Sequence, residues 1–106
     1  MAWFLLFIAG LAEVVWAVAM KESDGFSRLW PSVITFAFMA VSVYLLGLSM
    51  RTIPLGTAYV IWTGIGAVGA FVVGLFYFHE PASALRLVAA ALIVSGLVLM
   101  KLTSNA

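Results

Sequence analysis

The sequence contains no cysteine, which excludes disulfides, thiolate chemistry and zinc–cysteine sites. It has a single histidine, His79. One histidine cannot supply the paired axial ligands of a membrane haem bundle, and no His/Glu cluster suggests a metal. Charge is scarce as well. Only 8% of the 106 residues are Asp, Glu, Lys or Arg, against about 25% in a soluble domain. The net charge of +1 gives neither a basic surface for nucleic acid nor an acidic tail. No glycine-rich phosphate loop leads into a helix with Lys-Ser/Thr, so nucleotide hydrolysis is excluded. The chain reads as neither an enzyme nor a cofactor binder. What remains is apolar material, 66% of the residues against about 45–50% in an average chain. These proportions define an integral membrane protein.

Four runs are almost free of charge. Ala2 to Met20 is interrupted only by Glu13; Leu29 to Met50 and Leu55 to Phe78 carry no charge; Ala82 to Leu102 has Arg86 and Lys101 near its ends. A spanning helix needs ~20 apolar residues, so an all-α fold is expected. Its helices fall over about 2–20, 30–50, 55–78 and 82–102 in a single domain, 1–106. Ala17-Val18-Ala19 looks like a signal-peptide cleavage site. No basic residue precedes it and three more spans follow, so the first run is read as a retained helix. The links KESDGFSRLWP, RTIPLG and HEPAS and the polar tail TSNA are short, with Pro31, Pro54 and Gly56 as punctuation. They leave no room for a soluble domain, so function must lie among the helices.

Four spans put both termini on one side of the bilayer, with Arg51 and Lys101; Lys21, Arg28 and Arg86 fall on the other. Two against three is almost no bias under the positive-inside rule, and such a chain could insert both ways round. Four helices also make a thin bundle, in which a pathway needs more wall than one chain supplies, so self-association is expected. The fourth helix offers a seam, since Ala89 and Gly96 lie seven apart on one face and small residues let helices approach closely in lipid. The third carries Gly64, Gly66, Gly69 and Gly74, which points to close packing, a bend, or both. Gly64 and Gly66 are the expected flexing point.

Glu13 is the costly residue. It lies ~16 Å along its helix at 1.5 Å per residue, close to the middle of a ~30 Å hydrocarbon layer. An ionised acid there costs ~2.5–3.5 kcal/mol on insertion scales. The carboxylate can escape by pairing with a cation or by taking a proton, and a group poised between the two exchanges one for the other. Permanent pairing within the chain is the competing reading. Its candidates are poorly placed, because Arg86 and Lys101 sit near the edges and Lys21, Arg28 and Arg51 in the links. Gly10, Glu13, Trp16 and Ala17 share a helix face, and the Trp16 indole N–H could reach the carboxylate. Tyr59, Trp62 and Thr63 share a face of the third helix, adding rings that attract cations and groups that orient an acid. Ser42, halfway along the second helix, could join the cluster or bond back to its own helix carbonyl. Tyr59 could equally belong to the interfacial aromatic belt.

Together the mid-helix glutamate, EVVWAVAMKESDGF and IPLGTAYVIWTGIGAVGA resemble the small multidrug resistance family over essentially the whole chain. Tryptophan three residues after the glutamate is similar to its guanidinium-exporting branch. The resemblance implies an antiparallel homodimer of dual-topology subunits in the bacterial inner membrane, exchanging protons for guanidinium or small guanidinyl compounds by alternating access. By position, it implies that Glu13 binds proton and substrate. Trp16, Ser42, Tyr59 and Trp62 would hold that carboxylate or line the pocket, with Gly10 and Thr63 in its wall. Gly64 and Gly66 match the third-helix kink, and Gly96 the fourth-helix dimer seam. There the family commonly has glycine where this chain has Ala89. Three rivals remain: an exporter of hydrophobic quaternary ammonium cations, a non-transporting assembly subunit of a membrane complex, and a passive proton channel.

Overall fold

Long uncharged runs leave the backbone no polar partner in lipid except itself, which favours helices. A computed structural model describes residues 1–103 and contains four: α1 (Ala2–Glu22), α2 (Leu29–Ser49), α3 (Leu55–Phe76) and α4 (Ala84–Thr103). Each is long and apolar enough to cross a bilayer. The rest of the polar tail, residues 104–106, lies outside the described residues.

The helix ends follow local chemistry. Lys21 in the last turn of α1 complements the helix dipole. Beyond it, Ser23 donates from its hydroxyl to the Met20 carbonyl at 2.6 Å and accepts the Phe26 N–H at 3.0 Å. Asp24, Gly25 and Phe26 then take positive φ values of 50°, 70° and 66° to reverse the chain. Pro31 sits in the first turn of α2, where its missing N–H leaves no bond unmade. At the far end of α3 the helix stops at Phe76, two residues before the charge-free run does. The Glu80 N–H folds back to the Gly74 carbonyl at 2.9 Å, and His79 adopts φ 56°. Ser83 caps α4, its hydroxyl accepting the Arg86 N–H at 3.2 Å. That cap, rather than the end of Pro81, sets the start of α4 at Ala84.

The molecule is a slab 42 × 34 × 17 Å, less than two helices thick. α1 packs against both α2 and α3, α2 and α3 barely meet, and the backbone of α4 packs only on α3, with Lys101 reaching the Trp3 ring of α1 at one end. The small core lies on the α1–α3 side: Leu6, Ala9, Leu46, Ile53, Ala58, Ile61 and Trp62. No residue of α4 is buried. Three buried hydroxyls answer to their own helix or turn, Ser23 as above, Thr35 to the Pro31 carbonyl and Ser49 to that of Leu46, both at 2.7 Å. Ser42 is the exception.

Candidate proton and cation site

Glu13 lies on the face of α1 that meets α3. Opposite it stands Gly66, and the Glu13 carboxyl group occupies the space a Cβ there would need. The helices come equally close on either side. Gly10 faces Ile65, whose Cγ2 would be 2.5 Å from an added Cβ, and Gly69 faces Val14. Bare backbone on α3 thus lets a mid-span acid lie flat in the helix contact instead of forcing the helices apart.

No cation among the described residues pairs with that acid. Among the described residues the one ion pair is Arg86–Glu80, at 4.0 Å near a membrane edge. Lys101 lies over the Trp3 ring at 4.5 Å and Arg86 over Phe71 at 5.2 Å. Glu13 Oε1 and Trp16 Nε1 are both buried without a hydrogen-bond partner among the described residues. The expected indole-to-carboxylate bond is therefore not made within the subunit, because the carboxylate turns onto Gly66 instead. An acceptor and a donor stand unsatisfied one helical turn apart.

Ser42 and Trp62, two candidates for the cluster around Glu13, bond to each other and not to the carboxylate. The Trp62 indole N–H donates to Ser42 Oγ at 2.9 Å, and the Ser42 hydroxyl donates to the Ala9 carbonyl at 2.6 Å. Ser42 is fully buried and Trp62 is 9% exposed. By α-helical register the Ala9 carbonyl also accepts the backbone N–H of Glu13. The relay from α3 through α2 thus grips the turn of α1 that carries the acid, positioning Glu13 through its backbone. Bonding of Ser42 back to its own helix is set aside. The role of Ala9 was invisible in the sequence, since a backbone carbonyl leaves no mark there.

Tyr59 stacks obliquely on Trp62, with ring centroids 5.5 Å apart, and is 53% exposed. With Thr63, Gly64 and Gly96 it lines an open groove between α3 and α4. Thr63 therefore borders that groove rather than the α1–α3 contact holding Glu13. Gly10, buried under Ile65, serves helix packing here; only a glycine admits the β-branched neighbour. α3 runs unbroken through Gly64 and Gly66. Both admit a side chain from another helix, Leu97 of α4 and Glu13 of α1, which favours close packing as their role in this conformation. Ala89 and Gly96 are exposed, and nothing lies within 4 Å of a Cβ added at Gly96.

Four spanning helices around a lone mid-membrane acid define a small membrane transport protein class, and the family model described as Small Multidrug Resistance protein matches residues 1–93. The chain belongs to that family. It is 52% identical over 105 residues to a guanidinium exporter of Citrobacter freundii, covering 99% of this chain and 100% of that protein. A guanidinium exporter of Salmonella typhimurium strain LT2 is 53% identical over 105 residues, with the same coverage. One from Yersinia pseudotuberculosis is 52% identical over 104 residues, covering 98% of this chain and all of that protein.

Proposed function

We propose that this chain exports guanidinium and close guanidinyl relatives in exchange for protons, working as an antiparallel homodimer in the bacterial inner membrane. The observation that carries the reading is the uncompensated Glu13, whose buried Oε1 has no hydrogen-bond partner among the described residues. Full-length similarity to proteins named guanidinium exporters supports the choice of cargo.

The chemistry fits. Guanidinium is planar and presents N–H pairs that match a carboxylate two at a time. Ionised Glu13 takes the cation, while Trp16, Tyr59 and Trp62 supply ring faces attractive to positive charge. Protonated Glu13 is neutral, and in that form the carrier returns without cargo. Proton and guanidinium compete for one carboxylate, and the competition couples their fluxes. With one Glu13 from each subunit at a shared site, release of two protons for one monovalent cation would move net charge. Near-balanced Lys and Arg counts on the two sides suit insertion in both orientations. Outward-facing Ala89 and Gly96 suit a helix seam between the subunits. A quaternary ammonium ion has no N–H to offer, so it would leave the buried oxygen of Glu13 without a donor.

Purified protein in liposomes provides the test. Guanidinium should drive proton flux, tetraalkylammonium should do so poorly, and Glu13→Gln should abolish coupling while the protein still reconstitutes. Coupled exchange by the Glu13→Gln variant defeats the mechanism. Transport of tetraalkylammonium without guanidinium defeats the substrate assignment. Flux of neither defeats transport, and proton flux without counter-substrate defeats exchange.

A further inference from the structure

α1 and α4 are both held by α3 and meet each other through the side chains of Trp3 and Lys101 at one end. Between them runs an open groove of about 350 Å³. Leu6 and Phe7 form its α1 wall, Ile61 and Ile65 its floor, and Leu97 and Val98 its α4 wall. At the membrane edge Trp3 and Lys101 close it, the Lys101 ammonium lying over the Trp3 ring at 4.5 Å. The groove is apolar along the span and cationic at one end, which is the chemical profile of a phospholipid carrying net negative charge.

We propose that this groove holds an anionic phospholipid, with an acyl chain between α1 and α4 and its phosphate on the Lys101 ammonium. Charge placement argues for the anionic headgroup. The membrane end that carries Lys101 also carries Arg51 and no acidic side chain. At the opposite end Lys21, Arg28 and Arg86 are offset by Glu22, Asp24 and Glu80. Lys and Arg counts alone hide this asymmetry. Tryptophan and lysine at headgroup depth also anchor a chain's position against the interface.

Position on the helix argues against a second copy as the occupant. At ~100° per residue, Val98 is turned ~200° from Gly96 and ~180° from Ala89, away from the small-residue face of α4. The α1/α4 groove and the α3/α4 groove that Gly96 lines share only Leu97. A lipid therefore occupies the side of α4 that the seam leaves open. The inference stands apart from the transport reading.

Native mass spectrometry of the delipidated protein tests it, with phosphatidylglycerol and phosphatidylcholine of identical chains as probes. Phosphatidylglycerol should be retained about fivefold better, the equivalent of the ~1 kcal/mol that one basic residue contributes at an anionic surface. Lys101→Gln should erase that preference, Lys101→Arg should keep it, and Arg51→Gln should keep it too. Val98→Trp, which fills the groove with apolar bulk, should lower retention of both lipids. Equal retention of the two lipids by the unaltered protein overturns the proposal. So does an equal loss in Arg51→Gln, which would signal diffuse charge. A Val98→Trp variant that keeps its lipid but changes the mass of the protein assembly would seat a second copy there instead, and also overturns it.

Discussion

Consider Ser42→Ala. Its hydroxyl is shared between the Trp62 indole, which donates to it at 2.9 Å, and the Ala9 carbonyl, to which it donates at 2.6 Å. Deleting it costs the carbonyl little, because the helix bond from Glu13 remains. The indole N–H of Trp62, a residue only 9% exposed, is left without its acceptor. Stranding a buried donor costs ~1–3 kcal/mol in soluble proteins. Interhelical hydrogen bonds in lipid average ~0.6 and reach ~1.7 kcal/mol, because the unfolded chain also finds partners there. The second scale governs here, so a loss of about 1 to 1.5 kcal/mol is expected. Trp62→Phe removes the donor and leaves the Ser42–Ala9 bond intact. On that background Ser42→Ala should cost only about 0.5 kcal/mol, a single neutral hydrogen bond at the low end of its range. The cycle should therefore show coupling of about 0.5–1 kcal/mol. Equilibrium unfolding in mixed micelles with rising SDS fraction measures each corner. Ser49→Ala, whose hydroxyl bonds only its own helix at 2.7 Å, is the control and should change little. Additivity of the two single variants within about 0.3 kcal/mol would refute the relay. Because the relay ends beside Glu13, Ser42→Ala should also raise the KM for guanidinium, where Ser49→Ala should not.

Gly10→Ala should destabilise by ~1–3 kcal/mol, the usual range for overpacking. Its Cβ would meet Ile65 Cβ at 2.7 Å, and a β-branched neighbour cannot swing clear; unchanged unfolding would show that the α1–α3 contact is looser than described. Gly66→Ala should behave differently, since the added methyl meets the end of a flexible side chain, Glu13. Stability should fall by less than about 1.5 kcal/mol, the cost of an off-rotamer side chain, while guanidinium-coupled flux drops severalfold; an unaltered flux would mean the carboxylate does not work from that position. Guanidinium affinity should weaken on acidification, by at most about tenfold per pH unit for each proton displaced. The sign follows from the cation needing the ionised acid. Binding followed by tryptophan fluorescence across the titration checks it, and affinity independent of pH removes the competition.

The number and kind of helices were legible because a long apolar run in lipid has essentially one backbone solution. Their ends were less so. α3 releases its chain at Phe76 although Tyr77 and Phe78 continue the apolar pattern, because the turn is fixed by Glu80 reaching back to Gly74. The start of α4 was written in Ser83, a capping residue hidden in a short link. In the site, Glu13 announced itself through the cost of its charge. Ser42 and Trp62 were each legible as candidates for the Glu13 cluster by depth and chemistry, but their bond to each other and their target on Ala9 were not. A hydroxyl halfway along a helix carries no label saying whether it serves a side chain or a neighbouring backbone. The glycines of α3 showed the same limit. Their spacing promised either flexure or intimacy, and only the positions of Glu13 and Leu97 assign Gly66 and Gly64 to the latter in this conformation.

The lopsided burial has a consequence for biogenesis. Every buried side chain of the core belongs to α1–α3 or the links between them, and α4 adds only the partly buried Leu97 and Met100 at its edge, so most of the interior can form before the last helix is made. α4 arrives late, clips to α3 by Leu97 over Gly64 and to Trp3 by Lys101, and leaves the Ala89 and Gly96 face exposed. A newborn chain in the bilayer is thus finished on one flank and still recruiting on the other.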